Sequence, residues 1–466
     1  MASSSETSET TTSPAVDARD VCDVAIVGAG PGGLAAALAL QRRGYDVRVF
    51  ERREAFRPAG VAVFIWPHGL EHLKRIDAAT CARVVAAGAA IDTIAVERLD
   101  PGATGPEELL TINVAGWSER MDLPPQIGIT WARLTDALRA GLEPGTIRLG
   151  HALDGVRDDA GEGVTLTFAP TRSGAPAPPP ARARLCVVGA DGRDSRVRAA
   201  AFGEVLENSA PAEANDANDA NVYYALCPNP PPGHGANGFV RCANELRFSL
   251  SDGAGISLLD VGRGNLDLPS ANDDASFNET DVDPALGQLM FGTTRFAERR
   301  MIFDDAADRL AHLKGMFAET TPLISAAIES ANADAVVQTT LYERNGAKEW
   351  SSGRVALLGD AAHCMYPSLG LGISTAFADA VELDAQLRRV KDDDPRLDVR
   401  DALAAYSRNR APYARALQTV SRVMHAVLAA TAEKPATSAS RRWSAFDPSA
   451  AFFKMWRGAL WVFGDR

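Results

Sequence analysis

The first regular pattern in the chain is DVAIVG (23–28), an unbroken apolar run of strand length that ends on a glycine. GAGPGGLAAALALQRRG follows it. That stretch is rich in Ala and Leu and reads as a helix that Gly44 stops. DVRVFE, a β-branched run, then ends at Glu51. Strand, helix and strand within about thirty residues make a βαβ unit, the building block of a parallel sheet. Strand and helix signals continue to about residue 150, with a helix expected over TWARLTDALRAGL (130–142). GVTLTF and RLCVVGADG flank the Pro-rich APTRSGAPAPPPARA (169–183), which reads as the tip of an expanded hairpin.

Beyond residue 205 the period changes. NVYYALC, GFVRCA, ELRFSL and GISLLDV are short strand-like pieces, the pattern of a mainly antiparallel second sheet. Polar ENSAPAEANDANDANV (207–222) and SANDDASFNETDVDP (270–284) interrupt them and read as solvated insertions. RVALLG (354–359) returns to a fully apolar strand. After it, Ala376, Ala380, Leu383 and Leu387 recur at spacings of four, three and four, one face of a helix. From about residue 401 the pattern is helical, and the chain ends in the aromatic-rich AFFKMWRGALWVFGDR.

Composition narrows the function classes. At 466 residues, 46% apolar and 23% charged, the chain is globular in type and long enough for two intertwined domains. Acidic residues outnumber basic ones 60 to 48, a formal charge of -12, which argues against nucleic acid as a partner. No apolar run approaches the roughly twenty residues of a membrane-spanning helix. Six scattered cysteines form no C-x-x-C pair and imply neither a metal site nor a disulfide framework. The first twenty residues are Ser/Thr-rich but carry Glu6, Glu9, Asp17 and Asp20, and read as a disordered tail rather than a targeting signal. The expectation is a cytoplasmic protein, with an organelle left open.

Chemistry enters at the turns. Gly28, Gly30 and Gly33 form G-x-G-x-x-G between a strand and a helix. The first glycine permits the tight turn, the second lets backbone approach a pyrophosphate, and the third lets helix and strand pack closely. Glu51, about twenty residues on, is placed to accept ribose hydroxyls; a carboxylate there disfavours a 2'-phosphate and so points to FAD or NAD. Asp360 stands at the carboxyl end of RVALLG, where open α/β sheets bind ligands. Ala361 and Ala362 keep the next turn slim, Pro367 fixes the chain, and Gly370 and Gly372 open a helix. A second helix N-terminus, with N–H groups from Gly370 to Ser374, suits a dinucleotide whose reactive ring takes up negative charge, as a reduced flavin does.

Taken together, GAGPGGLAAALAL, the ERR that contains Arg52, GADGRDSRVR (189–198) and GRVALLGDAAHCMYPSLGLG resemble the single-component FAD-dependent aromatic hydroxylases. These are the para-hydroxybenzoate hydroxylase-like flavoprotein monooxygenases, and the zeaxanthin and squalene epoxidase relatives share their layout. The resemblance implies Glu51 on the adenosine ribose, Arg133 near the pyrophosphate and ribityl chain, and Asp360 on the ribityl hydroxyls. Asp191 and Gly192 match the family's Asp-Gly motif, tied to FAD and NAD(P)H use. Pro367 and the Gly370–Gly372 backbone would face the flavin ring. Two departures stand out. Gly370-Leu371-Gly372-Ile373-Ser374 replaces the frequent Gly-Gln-Gly-x-Asn, and Pro67-His68-Gly69 replaces Pro-Asn-Gly/Ala.

The expected fold is α/β: a Rossmann-like FAD-binding domain with a mainly parallel sheet, interleaved with a mainly antiparallel substrate domain and a C-terminal helical region. The FAD-binding domain takes 21–95, 119–205 and 336–400, the substrate domain 96–118 and 206–335, and the helical region 401–466. The resemblance implies that NADH or NADPH reduces the flavin, that O2 adds at C4a, and that one oxygen passes to a small aromatic or polyene substrate by hydroxylation or epoxidation. A geranylgeranyl reductase-like enzyme and a non-catalytic escort protein are the rivals. No catalytic side chain is singled out. His363 reads as packed rather than as an acid or base, His68 as surface or flavin-adjacent, and Asp191 equally as a turn cap or a cofactor contact. Tyr223, Tyr224, Phe239 and Phe248 read as core or cavity wall. The aromatic C-terminus reads as docked on the protein, with peripheral membrane contact the alternative, and the expected state is monomer or homodimer.

Overall fold

A computed structural model of the chain describes residues 21–56, 61–98, 106–159, 161–203, 220–229, 244–251, 254–263, 287–295, 301, 303, 305–317, 322–341, 343–390 and 397–432. The N-terminal tail, most of the two polar insertions, Phe239 and the aromatic C-terminus lie outside these residues.

The apolar run at the start forms the strand Val21–Val27, the centre of an eight-stranded sheet. Val47–Phe50 and Ala181–Gly189 flank it, both parallel, and Val355–Leu357 lies parallel beyond Ala181–Gly189. All four strands end at the same edge. Gly163–Ala169 pairs antiparallel with Ala181–Gly189, so the Pro-rich 170–180 segment is the hairpin connection that its composition suggests.

The helix Pro31–Arg42 is buried along nearly its whole length, as a helix apolar on every side must be. It ends in a Schellman pair: Tyr45 N–H donates to Leu40 O at 3.1 Å and Gly44 N–H to Gln41 O at 2.8 Å. Gly44 takes the positive φ (79°) that this closure needs. The helix Gly372–Arg388 packs against Pro31–Arg42 and buries Ala376, Ala380, Leu383 and Leu387, the face that the spacing selects.

The second sheet has seven strands in the order Val337–Leu341, Ala220–Asn229, Gly287–Arg295, Ala254–Arg263, Glu245–Ser251, Thr93–Arg98, Glu107–Asn113. Neighbours are antiparallel except Glu245–Ser251 and Thr93–Arg98, which run parallel. Alternation along these strands gives the sheet two faces. Tyr223, Ala225, Leu258 and Phe291 pack into one core with the helices Ala306–Met316 and Pro322–Glu329. Leu246, Leu259 and Met290 join a different core with the far end of the helix Val399–Ala432. A three-stranded sheet of Ala62–Ile65, Ala89–Ala90 and Ile127–Thr130 packs against the strand Ala254–Arg263 of the seven-stranded sheet.

Val399–Ala432 runs 34 residues, about 51 Å at 1.5 Å per residue, with Pro412 inside it. It stitches the chain around residue 360 through its side chains. The Tyr406 hydroxyl donates to Leu357 O (2.9 Å), Gln418 Nε2 to Cys364 O (2.9 Å), and the Ser421 hydroxyl to Tyr366 O (2.5 Å). Among the described residues, no helix is long and apolar enough to cross a membrane.

Candidate functional site

One cavity of about 600 Å³ lies at the carboxyl edge of the parallel strands and continues to the open face of the seven-stranded sheet. Gly28, Gly30, Glu51, Arg52, Asp191, Gly192, Asp360, Pro367, Gly370 and Gly372 all line it. Gly33, Arg133 and Ser374 are not among its lining residues.

The three motif glycines have separate physical jobs. At Gly28 (φ 106°) a Cβ would stand 2.4 Å from Ala190 O, and at Gly33 it would stand 2.1 Å from Gly28 O. Both glycines therefore serve the protein's own packing of helix against strand. At Gly30 a Cβ would meet nothing within 4 Å, because that position opens on the cavity. No side chain caps Pro31–Arg42, so the first-turn N–H groups and the positive end of the dipole remain available to an anion.

Glu51 is tied to this turn. Its Oε2 accepts from Ala29 N–H and its Oε1 from Arg53 N–H, each at 3.0 Å, and the second lone pairs stay free for hydroxyl donors. Asp191 caps the turn after its strand, one of the two readings its position allows, and its cavity-lining position leaves the cofactor contact to the functional proposal. It accepts from the Ser195 hydroxyl (2.5 Å) and from Arg196 and Val197 N–H (2.7 and 3.2 Å), which holds the start of the helix Arg196–Phe202, and it also lines the cavity. Burial pushes its carboxyl above the usual range despite these bonds.

Asp360 is exposed to the cavity yet surrounded by protein, and this desolvation pushes its carboxyl up against the pull of His363 and Arg193. A carboxylate in that position gains most from hydroxyl donors that replace water. Behind it lies a buried network that motif spacing did not disclose. Asp379, fully buried, accepts from Gly359 N–H (3.2 Å), pairs with His363 Nε2 (2.7 Å), and accepts from Arg410 Nε (2.8 Å). Burial works to raise the Asp379 carboxyl, but His363 and Arg410 outweigh it and hold the group below the usual range. His363 is thus a packed residue whose role is to hold the Gly359–Asp360 turn.

The Pro367–Leu369 turn is held by Trp66, whose Nε1 donates to Leu369 O at 2.8 Å. A Cβ at Gly370 (φ 60°) would stand 2.0 Å from the Phe64 ring, so the aromatic ring packs directly on that glycine. Gly372 opens on the cavity as Gly30 does, and Gly372–Arg388 also lacks a side-chain cap.

The residues off the cavity have clear neighbours. Arg133 is buried and its Nη1 donates to Val261 O at 2.8 Å. The Ser374 hydroxyl is turned to the helix Pro67–Ile76, where it lies against Gly69. His68 sits on that same helix, partly buried, and is not among the cavity-lining residues. Of the candidate aromatic wall, Tyr224 and Phe248 line the cavity and Tyr223 packs in the core on the other face.

The donor set fits FAD. Two uncapped helix N-termini open on one elongated cavity, each through a glycine with no neighbour where a Cβ would be, and Glu51 and Asp360 supply hydroxyl acceptors.

Comparison with known proteins gives the same picture. The family model described as FAD binding domain matches residues 21–221 and 320–421, well over half of the chain. The FAD-dependent urate hydroxylase of Mycolicibacterium vanbaalenii is 26% identical over 388 residues, covering 83% of this chain and 84% of that protein. The aurachin C monooxygenase/isomerase of Stigmatella aurantiaca is 27% identical over 361 residues, covering 77% and 79%. Among solved structures, Klebsiella pneumoniae HpxO complexed with FAD and uric acid superposes with a TM-score of 0.68 at 21% identity, covering 93% of this chain and 92% of that one. The chain belongs to the FAD binding domain family of flavoprotein monooxygenases, and its cofactor is FAD.

Proposed function

We propose that this enzyme uses NADH or NADPH and O2 to insert one oxygen atom into a small organic substrate bound against the seven-stranded sheet. One observation carries the reading: a single cavity runs from the Gly28–Gly33 turn, past Glu51 and Asp360, to the Pro367–Gly372 turn and on to the sheet. In this reading a dinucleotide anchored at the first turn would bring its ring to the second, since both line the one cavity. The flavin, when bound, supplies the reduction and oxygen chemistry.

The chain's own residues hold and orient. In this reading the N–H groups after Gly30 take the pyrophosphate, Glu51 the adenosine ribose, and Asp360 the ribityl hydroxyls. The uncapped N–H groups of Gly372 and its neighbours would stabilise the negative charge that a bound flavin gains on reduction. Arg133 acts indirectly by holding the strand at Val261. Leu246, Leu259 and Met290 keep water from the far end of the cavity.

The test is a screen of aromatic and polyene compounds for stimulation of NAD(P)H oxidation and O2 uptake, with products weighed by mass spectrometry. A gain of one oxygen supports the reading. Substrate turnover with a gain of hydrogen and no O2 uptake would replace it with a reductase.

A further inference from the structure

The charges around the cavity are divided unevenly between its two ends. Every charged lining residue among those described follows the end of a parallel strand of the eight-stranded sheet: Glu51 to Arg53, Asp191 to Arg196, and Asp360. The seven-stranded sheet presents a different surface. Its register sets Leu226, Met290, Leu259 and Leu246 side by side in one cross-strand row, and Tyr224, Gly292, Ser257 and Phe248 in the next. The nearby Arg247 and Glu97 fall on the opposite face, where Arg247 pairs with Glu97 (2.7 Å) and Glu245 (3.0 Å).

Within the second row Gly292 has a specific effect. A Cβ there would stand 2.9 Å from Tyr224 Cε1, so the Tyr224 ring lies across the glycine. The Tyr224 hydroxyl has no hydrogen-bond partner among the described residues, and burial pushes this phenol up to about 12, so it remains a neutral donor. Ser257, by contrast, already donates to Gly292 O (3.1 Å). On the facing side His425 stacks on Tyr366 at 4.2 Å and shares a hydrogen bond with Ser368 at 3.2 Å. Burial lowers His425 to about 4, so it too is uncharged near neutrality.

Resting on the monooxygenase reading above, we infer that the substrate is an uncharged, largely apolar, flat molecule with one carbonyl or hydroxyl oxygen that accepts a hydrogen bond from Tyr224. A carboxylate or urate anion placed against this wall would lose its hydration with no described cation to replace it.

The experiment uses the FAD-loaded full chain without reductant, and reads ligand binding as a perturbation of the flavin spectrum. The probes are 2-heptyl-4-quinolone, 2-naphthol, 2-naphthoate and urate. The two neutral probes are expected to bind at least about a hundredfold more tightly than the two anions. Tyr224→Phe, checked for unchanged flavin content, is expected to weaken the quinolone about five- to tenfold and to leave the binding of naphthalene, added as a control that has no oxygen, unaffected. Equal or tighter binding of either anion, no binding of either neutral probe, or an unchanged quinolone affinity in Tyr224→Phe would overturn the inference. The two readings fail separately. Oxygen insertion into an anion sinks this one alone, whereas the expected binding order with no O2 uptake in any turnover assay sinks the monooxygenase reading.

Discussion

Replacing Gly30 and Gly33 by the same residue separates cofactor binding from folding. Gly30 has φ -74° and ψ 172°, which any residue adopts, and its Cβ would meet no protein atom within 4 Å. Gly30→Val should therefore leave the apo-protein's stability within about 0.5 kcal/mol, or raise it slightly by restricting the unfolded chain. Its branched side chain would instead occupy the space through which pyrophosphate reaches the first-turn N–H groups. Loss of two charge-assisted hydrogen bonds at about 1.5–3 kcal/mol each weakens FAD binding by roughly 3–6 kcal/mol, a factor of about 10² to 10⁴. Gly33→Val should behave in the opposite way, because its Cβ would stand 2.1 Å from Gly28 O and 3.2 Å from Ala190 Cβ. Relieving that overlap means prising the helix from the strand, at about 1–3 kcal/mol or more. The assay compares flavin released per chain, affinity on titration with FAD, and the melting temperature of both apo-variants. A Gly30→Val protein that keeps wild-type FAD affinity would refute the assignment of that opening to phosphate.

Three further outcomes are expected. Asp360→Ala should weaken FAD by about 1.5–3 kcal/mol on titration while the apo-protein melts no lower than wild type, since it removes a desolvated carboxyl; a wild-type FAD affinity would make Asp360 a turn residue only. Asp379→Asn should cost about 3–5 kcal/mol in urea denaturation, because it leaves the Arg410 guanidinium without its buried counter-charge, and a loss under 1 kcal/mol would contradict that account. Acid should destabilise the fold. Burial lowers His425 to about 4, His72 to about 4 and His68 to about 3, so between pH 6.5 and 4 the unfolded chain binds more protons at these three imidazoles. This stability is complete above pH 6.5 and is lost as pH falls, with the charging of His425 accounting for a loss of about 2 kcal/mol by pH 5. A melting temperature that is the same at pH 7 and pH 5, or that falls as steeply in His425→Phe, would count against it.

What was legible in the sequence depended on short range. The glycine turn, Glu51 and Asp360 are each specified by a strand end and a few neighbours, so spacing alone locates them. Gly44 likewise marks a helix end because the left-handed closure involves only residues 40–45. The Trp66 bond to Leu369 spans 303 positions, and the parallel pairing of Thr93–Arg98 with Glu245–Ser251 spans about 150. Nothing local encodes either contact. Arg133 adds a contact of the same long-range kind: it is off the cavity lining, and its Nη1 donates to Val261 O, 128 positions away, which no motif match encodes. Asp379 escaped notice because one carboxylate in a helix otherwise looks like a solvated residue; only the fold puts His363 and Arg410 on either side of it.

The Val399–Ala432 helix behaves as a camshaft. Tyr406, Arg410, Gln418, Ser421, His425 and Leu428 project along it in one phase, the first of them engaging the backbone beside Asp360 and the last two reaching the cavity wall. Deleting one residue between Arg410 and Gln418 would rotate everything beyond by about 100° and draw it back by about 1.5 Å. His425 would then leave Tyr366, even though every contact at the cofactor end stayed in place. Length changes that closely restore the phase are large, such as seven or eleven residues, and move the far end by about 10 Å or more. The distance from the flavin end to the substrate end is thus a dimension this helix cannot adjust gradually.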